Sequence, residues 1–211
     1  MSKYIKTFVF MHIATTGLPE DNTSKMTELC LIAAEREHLI VCNRTNLPRV
    51  LNKLVLCFQP DKDINERAQY VSDLTNEDLE HQSGFSKATA LQIKEFLRRL
   101  PGPVCLVAYY GDRYDFPILQ KEFRQVEEAL SEDILCADSF WGFKDSFPND
   151  QPVPSKLIDI YRKYFDRELA GTAGTTEKYV LMMLHVALAC KDIFFRWCDV
   201  NYKQFNSFAQ N

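Results

Sequence analysis

Short apolar runs separated by turn residues mark a series of strands in the first quarter of the chain. Thr7–Ala14 and Glu28–Ala34 predict two strands, and Leu39–Cys42 and Leu54–Phe58 predict two shorter ones. The runs are apolar at consecutive positions, which is typical of strands that are covered on both faces or paired with a neighbour. Because they follow one another without an intervening helix, they indicate an antiparallel meander.

Helical patterns then alternate with buried strands. Thr75 and Ser86 are candidate N-cap residues for two helices, and Pro101-Gly-Pro103 ends the second. The further elements are a strand at Val104–Tyr109, a helix at about Phe116–Leu130, a strand at Ile134–Asp138, a helix at Leu157–Phe165 and a long helix from Glu177 to about Asp199. This order predicts an α/β protein with a mixed central sheet and helices on both faces, in a single domain over residues 1–211.

Composition narrows the functional classes. The 211 residues are 46% hydrophobic and 26% charged, with 25 Lys plus Arg against 29 Asp plus Glu, for a formal charge of −4. A chain of this balance has no overall attraction for phosphate, so nucleic-acid binding would need a local patch. No apolar run approaches the length of a membrane span, and the first residues do not resemble a signal peptide. Seven cysteines without a close pair argue against a zinc site or a disulfide framework and favour a reducing, intracellular location, nuclear or cytoplasmic.

Three segments concentrate the polar chemistry: the end of the first strand, the turn after Val104–Tyr109, and the small-residue loop before the last helix. These segments resemble the three-prime repair exonucleases, the TREX-like branch of the DEDDh 3′→5′ exonucleases. The matching features are Phe8-Val-Phe-Met-x-Ile-x-Thr-Thr-Gly-Leu-Pro19, Thr27-Glu-Leu-Cys-Leu31, Gly111-Asp-Arg-Tyr-Asp-Phe-Pro-x-Leu-Gln120, Asp138-Ser139 and Arg196-Trp197. The resemblance runs from Phe8 to about Phe205 and implies a ribonuclease-H-like exonuclease fold.

The resemblance implies a reaction centre in which four carboxylates hold two Mg²⁺ ions and a histidine activates water. At the five corresponding positions this chain has His12, Ala14, Asp115, Gly174 and Tyr179. Only Asp115 is a carboxylate. The sequence therefore predicts that the chain is not an enzyme, that the family's Mg²⁺ is lost, and that no other metal or cofactor is bound.

The remaining residues near this centre keep two interpretations each. His12 is either a zinc ligand beside Asp115 or a hydrogen-bonded, half-buried histidine. Asp115 is either a ligand or the N-terminal cap or dipole partner of its helix. Tyr109 and Tyr110 stand where the resemblance implies a histidine and an asparagine. Together with Arg113 they form a candidate binding surface, on which the tyrosines stack a nucleobase or fill the space of the metals.

These observations lead to a first functional hypothesis and an alternative. The first is an inactive exonuclease-like domain that serves as a protein-interaction and dimerisation scaffold, in nucleic-acid or RNA-silencing processes, with an unidentified protein partner. The alternative is a non-cleaving binder of single-stranded nucleic acid, or a residual metal-dependent 3′→5′ exonuclease. Nucleic-acid binding is expected to be weak or absent, and no membrane is expected as a partner.

A homodimer is the expected assembly, because the resemblance implies pairing across an edge strand. The interface strand is predicted to contain six residues, Lys53, Leu54, Val55, Leu56, Cys57 and Phe58. This run has no proline or bulge signal to protect its edge from pairing with another strand.

Overall fold

A six-stranded mixed sheet forms the centre of the computed structural model, which describes residues 2–17, 24–148, 152–166 and 174–208. The strand order is β3-β2-β1-β4-β5-β6. β2 is antiparallel to both β1 and β3, whereas β1, β4 and β5 are parallel neighbours. The strands are β1 (Thr7–Thr15), β2 (Met26–Glu35), β3 (Asn52–Cys57), β4 (Val104–Ala108), β5 (Leu135–Asp138) and β6 (Lys203–Gln204).

Helices cover both faces of this sheet. They are α1 (Arg36–Val41), α2 (Glu66–Ser72), α3 (Asn76–Leu79), α4 (Lys87–Arg98), α5 (Asp115–Gln125), α6 (Ser139–Lys144), α7 (Leu157–Tyr164), α8 (Thr176–Ala189) and α9 (Lys191–Asn201), followed by a short 3₁₀ helix at Phe205–Phe208. One apolar core lies between the sheet and α7, α8 and α9, and the other lies between the sheet and α4 and α5. The predicted α/β class and the antiparallel meander are confirmed.

Alternation along β1 explains how two cores share one strand. Phe8 and Phe10 point into the core under α8 and α9, whereas Val9 and Met11 point into the core under α4 and α5. All four side chains are fully buried. A central strand that is covered on both faces has no polar alternation, as its sequence indicates.

Several predicted elements need correction. Leu39–Cys42 is not a strand, because α1 occupies this segment and buries Leu39 beneath it. The helix predicted to Leu130 ends at Gln125, and Glu127 turns the chain with a left-handed backbone at φ 56°. The last helix is two helices, because the backbone at Cys190 leaves helical geometry (φ −118°, ψ 26°) between α8 and α9.

Other segments lie beyond what the pattern predicts or beyond what is described. Periodicity alone does not predict α2, α6 or β6, which are short. The predicted loops at Glu20–Met26 and Ala170–Thr176 lie partly outside the described residues, since residues 18–23 and 167–173 are not described. In the described part of the chain no helix combines the length and the apolarity needed to cross a membrane.

Local hydrogen bonds fix where the helices start. Thr75 and Asp78 form a reciprocal capping box at α3, and Ser86 caps α4 through the Thr89 amide. Both caps agree with the sequence prediction. Thr175 accepts a hydrogen bond from the Lys178 amide at the start of α8, which fixes the helix that borders the candidate site.

Candidate functional site

A cleft opens at the carboxyl end of β1, where the chain leaves the sheet. It holds a cavity of about 380 Å³ between β1, α2 and the start of α8. His12, Ala14, Gly174 and Tyr179 all line it. Four of the five positions singled out by the sequence are therefore brought together at one cavity, whose size falls within the range of small-molecule sites, about 300–1,000 Å³.

Asp115, the fifth position, lies buried behind this cavity and ties α5 to β1. Its Oδ1 atom accepts a hydrogen bond from the Ile13 amide at 2.8 Å and lies 3.1 Å from Nδ1 of His12. The side chain is 3% exposed. Of the two roles predicted at the start of its helix, the N-cap is wrong, because Tyr114 occupies that position. Asp115 is the first residue of α5, where a carboxylate complements the helix dipole, and its side chain bonds to the neighbouring strand.

His12 is held from two sides. Asp115 contacts its Nδ1 atom, and the ring of Tyr179 stacks on the imidazole with centroids 4.1 Å apart and an interplanar angle of 25°. The side chain remains 29% exposed. This geometry matches the hydrogen-bonded, half-buried histidine of the two interpretations. When Nδ1 carries the proton, Asp115 fixes that tautomer and Nε2 is left as the acceptor of the ring.

Tyr179 closes one side of the cleft with a neutral ring. Burial, followed by the negative charge of Asp115, raises the pKa of its phenol above the ordinary value. The ring therefore carries no charge at neutral pH. It supplies a flat aromatic surface beside His12 rather than an anionic ligand.

Gly174 has a structural role that the sequence did not reveal. Its backbone is left-handed (φ 83°), and a Cβ atom there would lie 2.9 Å from Cβ of Asp73 and 3.0 Å from the carbonyl carbon of Ser72. Glycine thus allows the loop before α8 to approach the end of α2. The two walls of the cleft meet at this contact.

Two buried carboxylates near the site, Glu28 and Asp138, belong to the matching sequence features but received no role from the sequence. Glu28 on β2 accepts a hydrogen bond from the Thr176 amide at the start of α8, at 3.1 Å. Asp138, at the end of β5, accepts the amides of Tyr110, Asp112 and Phe140. In the sequence, both could be recognised as an acidic residue inside or at the end of an apolar strand, where an unpaired charge is unfavourable.

The environment of Asp138 changes its protonation. Burial, followed by the negative charge of Asp112, raises the pKa of this carboxyl group to about 7, although three backbone amides oppose the shift. Asp138 is 4% exposed. It anchors the turn after β4 to the start of α6 and does not reach solvent as a free ligand.

The three candidate binding residues do not all reach the surface, although the rings of Tyr109 and Tyr110 meet edge to face at 5.0 Å. Tyr109 is buried, and its hydroxyl donates to the carbonyl oxygen of Ser155 at 3.1 Å. Tyr110 is half-buried and stacks on Phe140, and Arg113 lies on the surface over the ring of Tyr114. Asp112, beside Arg113 in the chain, forms an ion pair with Lys203 at 2.5 Å.

The donors at this site do not fit the two Mg²⁺ ions that the resemblance implies. A pair of hard cations requires several carboxylate oxygens, whereas Asp115 stands alone among the five positions and already contacts His12 and the Ile13 amide. Across residues 2–17, 24–148, 152–166 and 174–208, no group of three or more His, Cys, Asp or Glu side chains is placed to hold a metal ion. No chemical step is assigned to a metal here.

A second cavity lies at the opposite end of the sheet. Its volume is about 550 Å³, and it is bounded by the end of α4, the start of β4 and residues 130–134. It contains none of the candidate site residues. Size alone therefore does not identify the functional cleft.

Comparison with solved structures defines the class of protein. Escherichia coli exonuclease I in its complex with single-stranded DNA superposes with a TM-score of 0.65 at 15% identity, over 89% of this chain and 41% of that chain. A product-bound structure of exonuclease I gives a TM-score of 0.68 at 16% identity, over 92% of this chain and 45% of that chain. The chain spans less than half of these proteins, and the match establishes an exonuclease fold.

Sequence relatives then define the family. Three prime repair exonuclease 2 of Mus musculus is 37% identical over 199 residues, covering 86% of this chain and 84% of the relative. Three-prime repair exonuclease 1 of Bos taurus is 32% identical over 220 residues, covering 96% of this chain and 69% of the relative. A scan against models of protein families finds no match. The chain belongs to the three-prime repair exonuclease family, which confirms the resemblance.

These relatives correct one prediction. The sequence analysis expected a chain that is not an enzyme, but the relatives at 32% to 37% identity are named as exonucleases. They point to an enzyme. The residues at the five positions of the implied reaction centre show which donor groups are present, but they do not by themselves exclude catalysis.

Proposed function

We propose that this chain is an exonuclease that acts at the 3′ end of single-stranded nucleic acid, with the terminal nucleotide in the cleft at the end of β1. The observation that carries the proposal is the cavity of about 380 Å³ lined by His12, Gly174 and Tyr179 in a chain of this family. It lies where the resemblance implies the reaction centre.

The walls of the cavity suit a nucleotide. His12 and Tyr179 present stacked rings, and a nucleobase stacks on such aromatic surfaces without regard to its identity. Lys178 also lines the cavity, at the start of α8. Its ammonium group and the positive end of the helix favour a phosphate there.

His12 is the proposed proton acceptor. Asp115 orients the imidazole through Nδ1, 3.1 Å away, and leaves Nε2 to accept a proton from the water that attacks the terminal phosphodiester. As the new P–O bond forms, the bond from phosphorus to the 3′ oxygen of the preceding nucleotide breaks, and that oxygen leaves with a proton taken from solvent. Asp115 is a positioning residue in this arrangement, because it acts through His12. If Asp115 acts as a metal ligand instead, cleavage should be lost when EDTA removes the metal.

The test is a cleavage assay on a 5′-labelled oligothymidylate with Mg²⁺, with Mn²⁺ and with EDTA. The proposal expects stepwise shortening from a 3′-hydroxyl end. His12→Phe keeps a ring against Tyr179 but removes the proton acceptor, so cleavage should fall by about a hundredfold or more while binding persists. A preparation that leaves the oligonucleotide intact under all three conditions contradicts the proposal.

We also propose that β3 pairs with its counterpart in a second copy of the chain. β3 is the terminal strand of the sheet on this side, and Val55 is 40% exposed on it. An edge strand presents backbone donors and acceptors that a two-fold partner can pair.

A further inference from the structure

A row of aromatic rings extends along the surface beside the cleft. Tyr110 and Phe140 stack with centroids 4.3 Å apart and an interplanar angle of 21°. Trp141 meets Phe140 edge to face at 5.0 Å, and Tyr114 meets Tyr110 at 6.5 Å. Two rings from the turn after β4 and two from α6 therefore form one continuous aromatic row, Tyr114–Tyr110–Phe140–Trp141.

The topology of the sheet places this aromatic row next to the cavity. β1, β4 and β5 are parallel neighbours, so their carboxyl ends lie side by side at one edge. The cavity lies at the end of β1, Tyr110 follows β4, and Phe140 and Trp141 follow β5. A single-stranded nucleic acid whose end enters the cavity can therefore continue across this edge of the sheet.

The rings are accessible to a ligand. Trp141 is 47% exposed, which is unusual for an indole in a folded domain. Tyr110, Phe140 and Tyr114 are each partly exposed. An exposed group of large apolar rings is a feature of interaction sites more than of inert surfaces.

The backbone at Tyr110 shows that the ring position is constrained. Its φ of 55° is left-handed, a conformation in which asparagine is common and a bulky residue is an outlier. The Asp138 carboxylate holds this turn by accepting the Tyr110 amide at 3.0 Å. Strained positions of this kind cluster at binding and catalytic sites.

Cations accompany the rings and indicate an anionic ligand. The Lys144 ammonium lies 5.1 Å from the Trp141 ring centroid, and the Arg113 guanidinium lies 5.2 Å from that of Tyr114. The nearby negative charge of Asp112 is neutralised by an ion pair with Lys203. A ligand that combines flat rings with negative charges at short intervals is a single-stranded nucleic acid.

We infer that the aromatic row binds the nucleotides that precede the 3′-terminal one, with a base stacked on Trp141. This inference rests on the proposed function, because the terminal nucleotide in the cavity sets the direction of the strand. If the aromatic row binds these nucleotides, it contributes to the affinity only of oligonucleotides long enough to reach it.

The experiment compares a dithymidylate with an octathymidylate, both with free 3′-hydroxyl ends, in binding assays with EDTA present. Trp141→Ala is expected to weaken octathymidylate binding by about tenfold, since stacking of one base contributes that order of affinity, and to leave dithymidylate binding unchanged. Trp141→Phe should restore most of the loss. Tyr4→Ala removes an exposed ring that packs on Arg36 instead and should change neither affinity.

Fluorescence provides a second measurement that does not depend on an alanine variant. The chain has two tryptophans, so Trp197→Phe leaves Trp141 as the only tryptophan, whose emission can be excited selectively over that of the tyrosines. Octathymidylate should quench this emission, and dithymidylate should not. Equal effects of Trp141→Ala on both oligonucleotides, or no effect on either, would overturn the inference while the cleft proposal stands. Failure of both oligonucleotides to bind would overturn the proposed function and the inference together.

Discussion

At the scale of single residues, Asp115 does more than mark a position of the resemblance. Its buried carboxylate satisfies the Ile13 amide and fixes His12, so it joins α5 to the end of β1. Asp115→Ala should lower the free energy of unfolding by about 1–3 kcal/mol, because a buried amide loses its partner. Urea unfolding measures this, with the exposed Asp145→Ala as the control. Equal stability of the two variants would contradict a structural role for Asp115.

Asp138 gives the protein a stability that depends on pH. The folded-state pKa of about 7 exceeds the ordinary value of 3.8, so the folded chain retains a proton that the unfolded chain releases between these values. The stabilisation is complete below about pH 4 and is lost as the pH rises towards 7, with a limiting slope of about 1.4 kcal/mol per pH unit.

Comparison with Asp138→Asn isolates this titration, since the amide does not ionise. The free energy of unfolding of the unmodified protein should fall relative to that of Asp138→Asn from pH 4 to pH 7. The difference should be constant above that range. Parallel stability curves for the two proteins would show that Asp138 titrates normally.

At the scale of elements, the contact between Gly174 and α2 sets the width of the cleft. Gly174→Ala places a methyl group 2.9 Å from Asp73 and forces alanine into a left-handed backbone. The free energy of unfolding should fall by about 1–2 kcal/mol or more. Gly84→Ala is the matched control, because its Cβ would lie 3.5 Å from the nearest atom and needs no rearrangement.

The same substitution also tests whether the loop shapes the cleft in which the oligonucleotide binds. If Gly174 holds α2 against α8, Gly174→Ala should also weaken oligonucleotide binding in the cleft. Gly84→Ala should leave it unchanged. A stable Gly174→Ala protein would indicate that the loop tolerates a side chain and that this contact does not define the cleft.

The helices show which element boundaries sequence patterns can predict. Ser86 and Thr75 mark helix starts through hydrogen bonds to amides within the next turn, so local sequence suffices. α1 depends on distant partners instead: Arg36 at its start bonds to the Ile5 carbonyl and to Asp199. The run of four apolar residues at Leu39–Cys42 fits a strand equally well, and only these contacts decide for a helix.

At the scale of the whole molecule, the proposed pairing of β3 predicts a dimer of twice 24.5 kDa in light scattering at micromolar concentration. Val55→Lys puts a charge on the exposed side of this strand and should shift the mass towards the monomer. Val41→Lys places the same charge on the more exposed surface of α1 and should leave the mass of the dimer unchanged. A monomeric unmodified chain would refute the dimer, and a dimer that survives Val55→Lys would place the interface elsewhere.

The sequence by itself determined the α/β class, the antiparallel start of the sheet and the family, because buried strands, helix caps and the Gly111–Gln120 segment are local signals. It also identified the five positions, of which four line the cleft and the fifth, Asp115, lies buried behind it. Only the tertiary structure decided what their side chains do: Asp115 bonds across to β1, Gly174 packs on α2, and Asp138 anchors the aromatic row. These roles arise from contacts between residues far apart in the chain, and local patterns carry no information about such contacts.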